Sequence, residues 1–295
     1  MIAKLKLALG CVLIVVLASA GLTMHVMSHS FDRVRSVVMP FERQAKEVYV
    51  GDEFSLPPAD NDLPVYDRYT TRERRAKGLP QTYGAKRSYF YGDHVAYLTF
   101  DDGPNQANTE KILDILEREN IRATFFLTGR NVSRYPDVVR RIYQSGHGIG
   151  VHSYSHDYKK LYSSPQVYID ELLKTEEMIY HIIGVRPVIS RAPGGTAGHF
   201  TKEYWQAIQD IGYVDIGWNA LTGDADGTGR TAEKAVENLR SQLAARPYLN
   251  THLIILMHDA AGHEETVKAL PSIIAMLKQQ GYAFRVVTPS TPPAW

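Results

Sequence analysis

Short apolar runs that alternate with helical segments constrain this fold more than any other feature of the sequence. After residue 90 each run is bounded by turn residues, and apolar side chains at helical spacing fill the segments between runs. The runs cover residues 95–100, 123–127, 148–151, 188–190, 213–217, 253–257 and 283–287. Strands that alternate with helices predict parallel βαβ units, and hence an α/β fold with a barrel-like or doubly wound sheet.

Two of the intervening segments give specific helix predictions. Asn108 and Thr109 can cap a helix that begins beside them. The apolar residues of that helix are Ile112, Leu113, Ile115 and Leu116. A later helix is expected to present one apolar side, formed by Ile169, Leu172, Leu173, Ile179 and Ile183. In parallel α/β folds the reactive groups lie at the carboxyl ends of the strands, so chemistry is sought there.

Composition excludes several classes of function. The chain of 295 residues has 33 basic and 32 acidic side chains, and this balance argues against a general nucleic-acid binder, which needs a dense basic face. Cys11 is the only cysteine, so the chemistry uses oxygen and nitrogen groups rather than thiols. Gly146, Gly148 and Gly150 precede a strand instead of following one, and therefore no nucleotide cofactor is expected.

The N-terminus is typical of a membrane-targeting segment. Lys4 and Lys6 precede residues 7–24, which carry no charge and are just long enough to cross a bilayer as a helix. Small residues at 18–20 also fit a signal-peptidase site. Two outcomes stay open: a single-pass anchor in the cell membrane, or a cleaved signal that releases a secreted protein. Both place the bulk of the chain outside the cytoplasm.

Residues 25–90 show no lasting strand or helix period. Several prolines interrupt the segment, and a basic cluster lies in its middle, formed by Arg68, Arg72, Arg74, Arg75 and Lys77. One interpretation is a solvated stalk between membrane and domain. The other is that the basic residues contact acidic polymer or lipid headgroups.

Two adjacent carboxylates follow the first strand. Asp101 and Asp102 lie at a strand end, where successive side chains point in different directions. One carboxylate can therefore bind a metal while its neighbour acts as a base. Asp-Asp-Gly-Pro is also an ordinary turn sequence.

Two histidines follow the third strand. His152 and His156 are four residues apart, a spacing that would place both imidazoles on one face of a helical turn and within reach of one divalent ion. With a carboxylate from a neighbouring strand end, they supply the three protein ligands of a catalytic zinc site. Two histidines at this spacing also occur by chance.

The fourth and sixth strands end in further polar groups. Arg191 could hold a carboxylate in bidentate fashion, and the glycines after Pro193 leave backbone N–H groups free to meet an oxyanion. His258 ends the sixth strand and brings another histidine to the same edge. Taken singly, an arginine in a turn or a histidine after a strand is commonly structural.

Taken in order, these segments resemble the five motifs of the polysaccharide deacetylases (NodB-homology domain, carbohydrate esterase family four). The segments are residues 99–104, 152–156, 191–195, 218–224 and 256–258. The resemblance covers about residues 91–288 and agrees in motif order and spacing. It implies a distorted (β/α)7 barrel and metal-dependent removal of acetyl groups from N-acetylated sugars.

The resemblance also implies which residues form the base and the metal site. Asp101 would be the catalytic base, which Arg191 would orient and tune. Asp102, His152 and His156 would bind the cofactor, a divalent metal ion for which Zn²⁺ is the first candidate.

The later motifs would supply the acid and the substrate contacts. His258 would be the general acid, partnered by Asp224. The backbone N–H of Gly194 would complete an oxyanion hole, Leu256 would line the acetyl pocket, and Trp218 would contact substrate.

Two positions depart from the family pattern. Gly194 stands where the family often has tyrosine, which should not harm a backbone donor. Ala225 stands where tryptophan is usual. The second departure removes a wall of the acetyl pocket unless another aromatic side chain fills the gap.

The predicted organisation is a signal anchor or signal peptide in residues 1–24, an extracytoplasmic linker in 25–90, the catalytic domain in 91–288 and a tail in 289–295. The predicted substrate is an N-acetylated glycan outside the cytoplasm, with peptidoglycan N-acetylglucosamine first. Two alternatives are an O-acetyl polysaccharide esterase of the acetylxylan type and a catalytically silent glycan-binding wall protein. The intact set of acid, base and ligands argues against the silent protein.

Overall fold

The computed structural model describes the backbone of residues 48–50 and all of residues 63–79, 94–247 and 251–294. The strands are β1 (Val48–Val50), β2 (Val65–Asp67), β3 (Val95–Asp101), β4 (Thr124–Leu127), β5 (Gly148–Val151), β6 (Arg186–Pro187), β7 (Ile189–Ser190), β8 (Val214–Asp215), β9 (Ala220–Leu221), β10 (His252–His258) and β11 (Ala283–Phe284). The helices are α1 (Thr71–Lys77), α2 (Asn108–Glu119), α3 (Gly129–Arg134), α4 (Pro136–Gln144), α5 (Tyr158–Leu161), α6 (Pro165–Ile183), α7 (Lys202–Asp210), α8 (Ala232–Ala245) and α9 (Glu264–Gln279).

The main sheet has the strand order β8-β7-β5-β4-β3-β10-β9, and β11 pairs with the start of β3. Every ladder in this sheet is parallel. Because parallel neighbours require crossover connections, helices separate most of these strands in sequence. Within the described residues no ladder joins β8 to β9, so the curved sheet stays open at that side. The predicted α/β fold with a parallel sheet is confirmed.

Each of the seven predicted apolar runs contains a strand, but their lengths differ. The strand in the run at 253–257 extends one residue beyond it at each end, whereas the strands in the runs at 188–190, 213–217 and 283–287 are only two residues long. Two of these short strands have few partners: β8 lies at one end of the sheet order, and β11 pairs only with Val95 and Ala96. Strand β9 corresponds to none of the predicted apolar runs.

Both faces of the main sheet are buried. Along β3, Leu98 and Phe100 pack in the larger apolar cluster with the helices, while Val95 and Tyr97 pack in a smaller cluster on the opposite face. This alternation follows from the two-residue period of a strand. Thr99 lies on the same face as Tyr97, so the inner face of β3 changes from apolar to polar towards its carboxyl end.

Two helix predictions need correction. Asn108 and Thr109 lie inside α2 and do not cap it; the side chain of Asn105 instead accepts hydrogen bonds from the N–H groups of Ala107 and Asn108. An Asx turn upstream thus satisfies the first helical donors. In α6, Leu173 is 38% exposed, because the apolar side is narrower than the spacing suggested.

The expected absence of regular structure in the linker is wrong for residues 63–79. Strand β2 and helix α1 pack on the domain: Tyr66 is fully buried, and its hydroxyl donates to the carbonyl of His147 at 3.2 Å. Arg74, one of the five basic-cluster residues, is buried in an ion pair with Asp67. A capping box at Thr70 starts α1.

The two ends of the chain differ in what the structure describes. The predicted tail packs on the domain, since Thr291 is buried and the carbonyl of Pro293 lies 3.0 Å from Nε2 of His252. The predicted anchor in residues 1–24 lies outside the described residues. Of the helices that the structure does describe, none combines the length and apolar character needed to cross a membrane.

Candidate active site

The predicted site residues meet at the carboxyl edge of the main sheet. Asp101 ends β3, His152 follows β5, Arg191 follows β7 and His258 ends β10. His258 pairs in register with Asp101 on the neighbouring strand. A parallel sheet therefore brings together residues that are far apart in sequence.

Asp102, His152 and His156 form the first cluster, and their ligand atoms all lie within 4.8 Å of one another. Oδ1 of Asp102 lies 3.4 Å from Nε2 of His152 and 3.1 Å from Nε2 of His156. This oxygen is buried and has no hydrogen-bond partner among the described residues. An orphaned carboxylate oxygen that faces two imidazole nitrogens fits a divalent cation.

The environment of His152 prepares it as a ligand. Its Nδ1 lies 2.8 Å from the carbonyl of Arg191, so Nδ1 carries the proton and Nε2 keeps a lone pair towards Asp102. Burial is the main cause that lowers the pKa of His152 to about 3. The ring is therefore neutral at physiological pH, which is the state that binds a metal.

The expected helical turn between the two histidines is wrong. Residues 152–157 form a loop in which Ser153 and His156 have positive φ angles of 63° and 55°. The imidazoles still converge, with ring centroids 5.2 Å apart. Glu171 on α6 fixes the loop, because its Oε2 accepts hydrogen bonds from the N–H groups of Tyr154 and Ser155 at 3.1 and 2.7 Å. The four-residue spacing therefore identified two histidines that do converge, but a loop rather than a helical turn brings them together.

Asp101 and Arg191 form a buried ion pair next to the candidate metal ligands. Nη1 of Arg191 donates to Oδ1 of Asp101 at 2.9 Å and to Oγ1 of Thr99 at 2.7 Å. The rest of the guanidinium donates to the carbonyls of Ile216 and Gly217. The contact with Asp101 is thus single, and the bidentate pairing considered above is wrong. The backbone carbonyls take the remaining donors.

The buried position of Asp101 makes it more basic than an exposed aspartate. Desolvation raises the pKa of Asp101, while the charge of Arg191 opposes the rise. Asp101 and Asp102 have different nearest partners: Asp101 contacts Arg191 at 2.9 Å and lies 3.8 Å from Nε2 of His152, whereas Asp102 faces both histidines more closely. The strand end separates their environments, as predicted.

His258 and Asp224 form the second cluster. Nδ1 of His258 lies 3.0 Å from Oδ1 of Asp224, and the backbone N–H of His258 donates to Oδ2 of Asp224 at 2.8 Å. Thr266 on α9 donates its hydroxyl to the same Oδ2 at 2.7 Å. Burial alone would lower the pKa of His258, but the hydrogen bond and charge of Asp224 outweigh it and raise that pKa to about 9. His258 is therefore protonated at neutral pH.

The Gly194 backbone is open towards the site. Its φ angle is 72°, it is exposed, and among the described residues no acceptor binds its N–H. An added Cβ would come within 2.6 Å of the Tyr158 ring. Tyr158 is 43% exposed and packs edge-on against His156 with centroids 5.3 Å apart. The ring of Tyr158 thus lies between a predicted metal ligand and the predicted oxyanion donor.

The residues predicted to contact substrate take different places. Trp218 packs against Gly195 and, with Arg191 and Gly194, lines a cavity of about 320 Å³. Leu256 is half-buried on β10, two residues before His258, and does not line that cavity. Ala225 is exposed beside Asp224.

Sequence reasoning missed several residues that hold the site. Thr99 precedes Asp101 by two positions, so the strand period could have placed it on the same face. Glu171 and Thr266 lie on helices far along the chain and gave no signal in the sequence. Tyr158 and His263 were also missed; the ring of His263 stacks on that of His258 at 5.0 Å.

The arrangement suits hydrolysis of an acyl bond. A basic carboxylate lies beside a candidate metal site, and a protonated histidine lies on the neighbouring strand. Two acid–base groups in opposite environments can take a proton from water and give one to a leaving group.

Comparison with known proteins agrees with this arrangement. The family model described as polysaccharide deacetylase matches residues 91–216. A peptidoglycan-N-acetylglucosamine deacetylase of Bacillus cereus is 35% identical over 193 residues, which are 64% of this chain and 68% of that protein. The chain belongs to the polysaccharide deacetylase family. A putative polysaccharide deacetylase of Bacillus subtilis, YheN, is 31% identical over 68% of this chain and 70% of its own length.

Solved structures of deacetylases and related esterases share the fold. The polysaccharide deacetylase Bc1974 from Bacillus cereus aligns with a TM-score of 0.60 and 32% identity, over 66% of this chain and 92% of that one. A carbohydrate esterase family four (CE4) esterase from Streptococcus mutans aligns with a TM-score of 0.64 and 30% identity, over 72% and 94%. The predicted deacetylase barrel is confirmed, and the curved open sheet is its distorted form.

Proposed function

We propose that this deacetylase removes N-acetyl groups from the N-acetylglucosamine of peptidoglycan in a metal-dependent reaction outside the cytoplasm. The observation that carries the proposal is the pairing of a buried base, Asp101, with a charged histidine, His258, on adjacent strands. An amide needs such an acid because an amine leaves poorly unless it is protonated. The name of the Bacillus cereus relative supports the choice of polymer.

The donor set fits a divalent ion, with Zn²⁺ as the first candidate. Asp102, His152 and His156 would hold it through one carboxylate oxygen and two imidazole nitrogens. A bound ion would lower the pKa of water and polarise the acetyl carbonyl.

The chain's own residues move the protons. Asp101 accepts a proton from the attacking water, while Arg191 fixes the other side of its carboxylate. The Gly194 N–H faces the carbonyl oxygen as that oxygen gains negative charge. His258 then donates a proton to the sugar nitrogen, and Asp224 stabilises the imidazolium throughout.

The proposal is tested by acetate release from the purified protein. We expect release from peptidoglycan, loss of release in a chelator and recovery when Zn²⁺ is returned. Acetylated chitin oligomers and acetylxylan serve as parallel substrates. Turnover of acetylxylan alone would favour the esterase alternative, and binding to glycan without any acetate release would favour the silent wall protein.

The placement outside the cytoplasm rests on the N-terminal charge pattern. Lys4 and Lys6 before an uncharged stretch of 18 residues would keep the N-terminus inside and export the domain. Protease added to intact cells should digest the domain, and a membrane-anchored mature chain should retain its first residues. A mature chain that starts near residue 21 would replace the anchor with a cleaved signal, and protection from protease would refute export.

A further inference from the structure

A second group of ligand atoms lies on the acid side of the site. Asp224, His258 and His263 offer one carboxylate oxygen and two imidazole nitrogens within 4.8 Å of one another. Nδ1 of His263 lies 3.7 Å from Oδ2 of Asp224, is buried, and has no hydrogen-bond partner among the described residues. Nδ1 of His258 lies 3.0 Å from Oδ1 of the same carboxylate.

These distances suit a tetrahedral divalent ion. Zinc–nitrogen and zinc–oxygen bonds of about 2.0–2.1 Å place two ligands of one ion about 3.4 Å apart, and the two observed separations lie on either side of that value. Side-chain exposures of 5%, 12% and 18% for Asp224, His258 and His263 leave room for an ion to enter from solvent.

We propose that Asp224, His258 and His263 form a second, inhibitory binding site for Zn²⁺. This inference rests on the proposed function for its effect on activity, although the binding itself does not. An ion here replaces the proton on Nδ1 of His258, which is released to solvent, and neutralises the charge of Asp224. The imidazole then loses the partner that keeps it protonated and oriented, so it no longer donates to the leaving amine.

The test begins with the holoenzyme that carries one equivalent of zinc. Equilibrium dialysis against rising Zn²⁺ should show a second equivalent bound, and acetate release should fall as that second equivalent binds. His263→Phe keeps an aromatic ring against His258 but removes the nitrogen ligands. We expect this variant to bind a single equivalent, and we expect its own acetate release to be halved only at a Zn²⁺ concentration at least about tenfold higher than in the unmodified enzyme.

Two further variants separate this site from the first one and from adventitious binding. Asp102→Ala should still bind one zinc, and the double variant with His263→Phe should bind none. His181→Phe removes an exposed histidine that pairs with Glu177 on α6 and should titrate as the unmodified enzyme does. His263→Gln checks that any change is not a packing defect of the phenylalanine.

The outcomes are distinct. A single equivalent in the unmodified enzyme at high Zn²⁺, or a second equivalent that persists in both His263 variants, overturns the proposal. A second equivalent that binds without slowing acetate release overturns the inhibitory role. If no substrate releases acetate, the proposed function fails, yet dialysis still decides whether this site exists.

Discussion

The two histidine clusters at this edge contain the same residue types and opposite electrostatics. His152 is buried against a carbonyl, and its pKa is lowered to about 3, so it is neutral. The His258 side chain is 12% exposed, and Asp224 raises its pKa to about 9.

 At that value of about 9 the ring is charged at neutral pH. Burial keeps the His152 ring neutral, whereas the hydrogen bond and charge of Asp224 outweigh burial and keep the His258 ring charged.

The largest loss of activity is expected from a substitution in the cluster of Asp102, His152 and His156. Asp102→Ala removes the oxygen shared by His152 and His156, so the metal bound by this cluster and acetate release should disappear together. Metal analysis of the purified variant, with circular dichroism to confirm folding, measures the result. Stoichiometric metal in the double variant of Asp102→Ala with His263→Phe would show that Asp102 is not a ligand.

Asp101→Asn tests the neighbouring carboxylate, which belongs to neither histidine cluster. The amide keeps the shape but loses the basic oxygen, so kcat should fall on the order of 10²–10⁴-fold while metal content stays near that of the unmodified enzyme. Single-turnover assays with metal analysis measure both quantities. Loss of the metal, or near-normal turnover, would show that the assignment of Asp101 as base and Asp102 as ligand is wrong.

A substitution in the cluster of His258 and Asp224 should cause a smaller loss of activity, and that loss should depend on pH. His258 must be protonated to act, so activity should be lost as the pH rises through its pKa of about 9. Asp224→Asn removes the charge that holds this pKa up, and the alkaline limb of kcat/KM should move towards lower pH. Profiles measured between pH 6 and 10 would contradict this assignment if the limb stayed in place.

Some residues of the two clusters could be predicted from the sequence, and others could not. Asp101, His152, Arg191 and His258 could be predicted because each follows a strand, and a parallel sheet gathers strand ends at one edge. The loop that turns His156 towards Asp102 could not, because its positive φ angles depend on tertiary contacts.

The side chains that hold the site residues in place come from distant parts of the sequence and follow no local pattern. Glu171 acts on the histidine loop from 16 residues away, and Thr266 acts on Asp224 from 42 residues away. Strand β2 and helix α1 were missed for a related reason: they are too short to show a period, and packing on the domain stabilises them.

The smallest change in activity is expected at Ala225, which lies beside Asp224 and His258 but belongs to neither histidine cluster. Ala225 follows Asp224 and is exposed, so the acetyl pocket that the proposed function requires would have no aromatic wall at this position. An added methylene is worth only about 1–3 kcal/mol in an apolar pocket, and an open wall should reduce even that penalty. We therefore expect N-propionyl and N-acetyl sugars to differ little in kcat/KM.

Ala225→Trp is the matched control, because a large side chain there should restore discrimination against the propionyl group. Replacing the acetyl group by a propionyl group does not alter the charge of His152 or His258. The alkaline limb of the pH profile of kcat/KM should therefore stay near pH 9 for both sugars. Strong rejection of the propionyl sugar by the unmodified enzyme would show that another side chain closes the pocket. Tyr158, which is exposed beside Gly194, would then be the residue to replace, since its ring is the aromatic group that packs there.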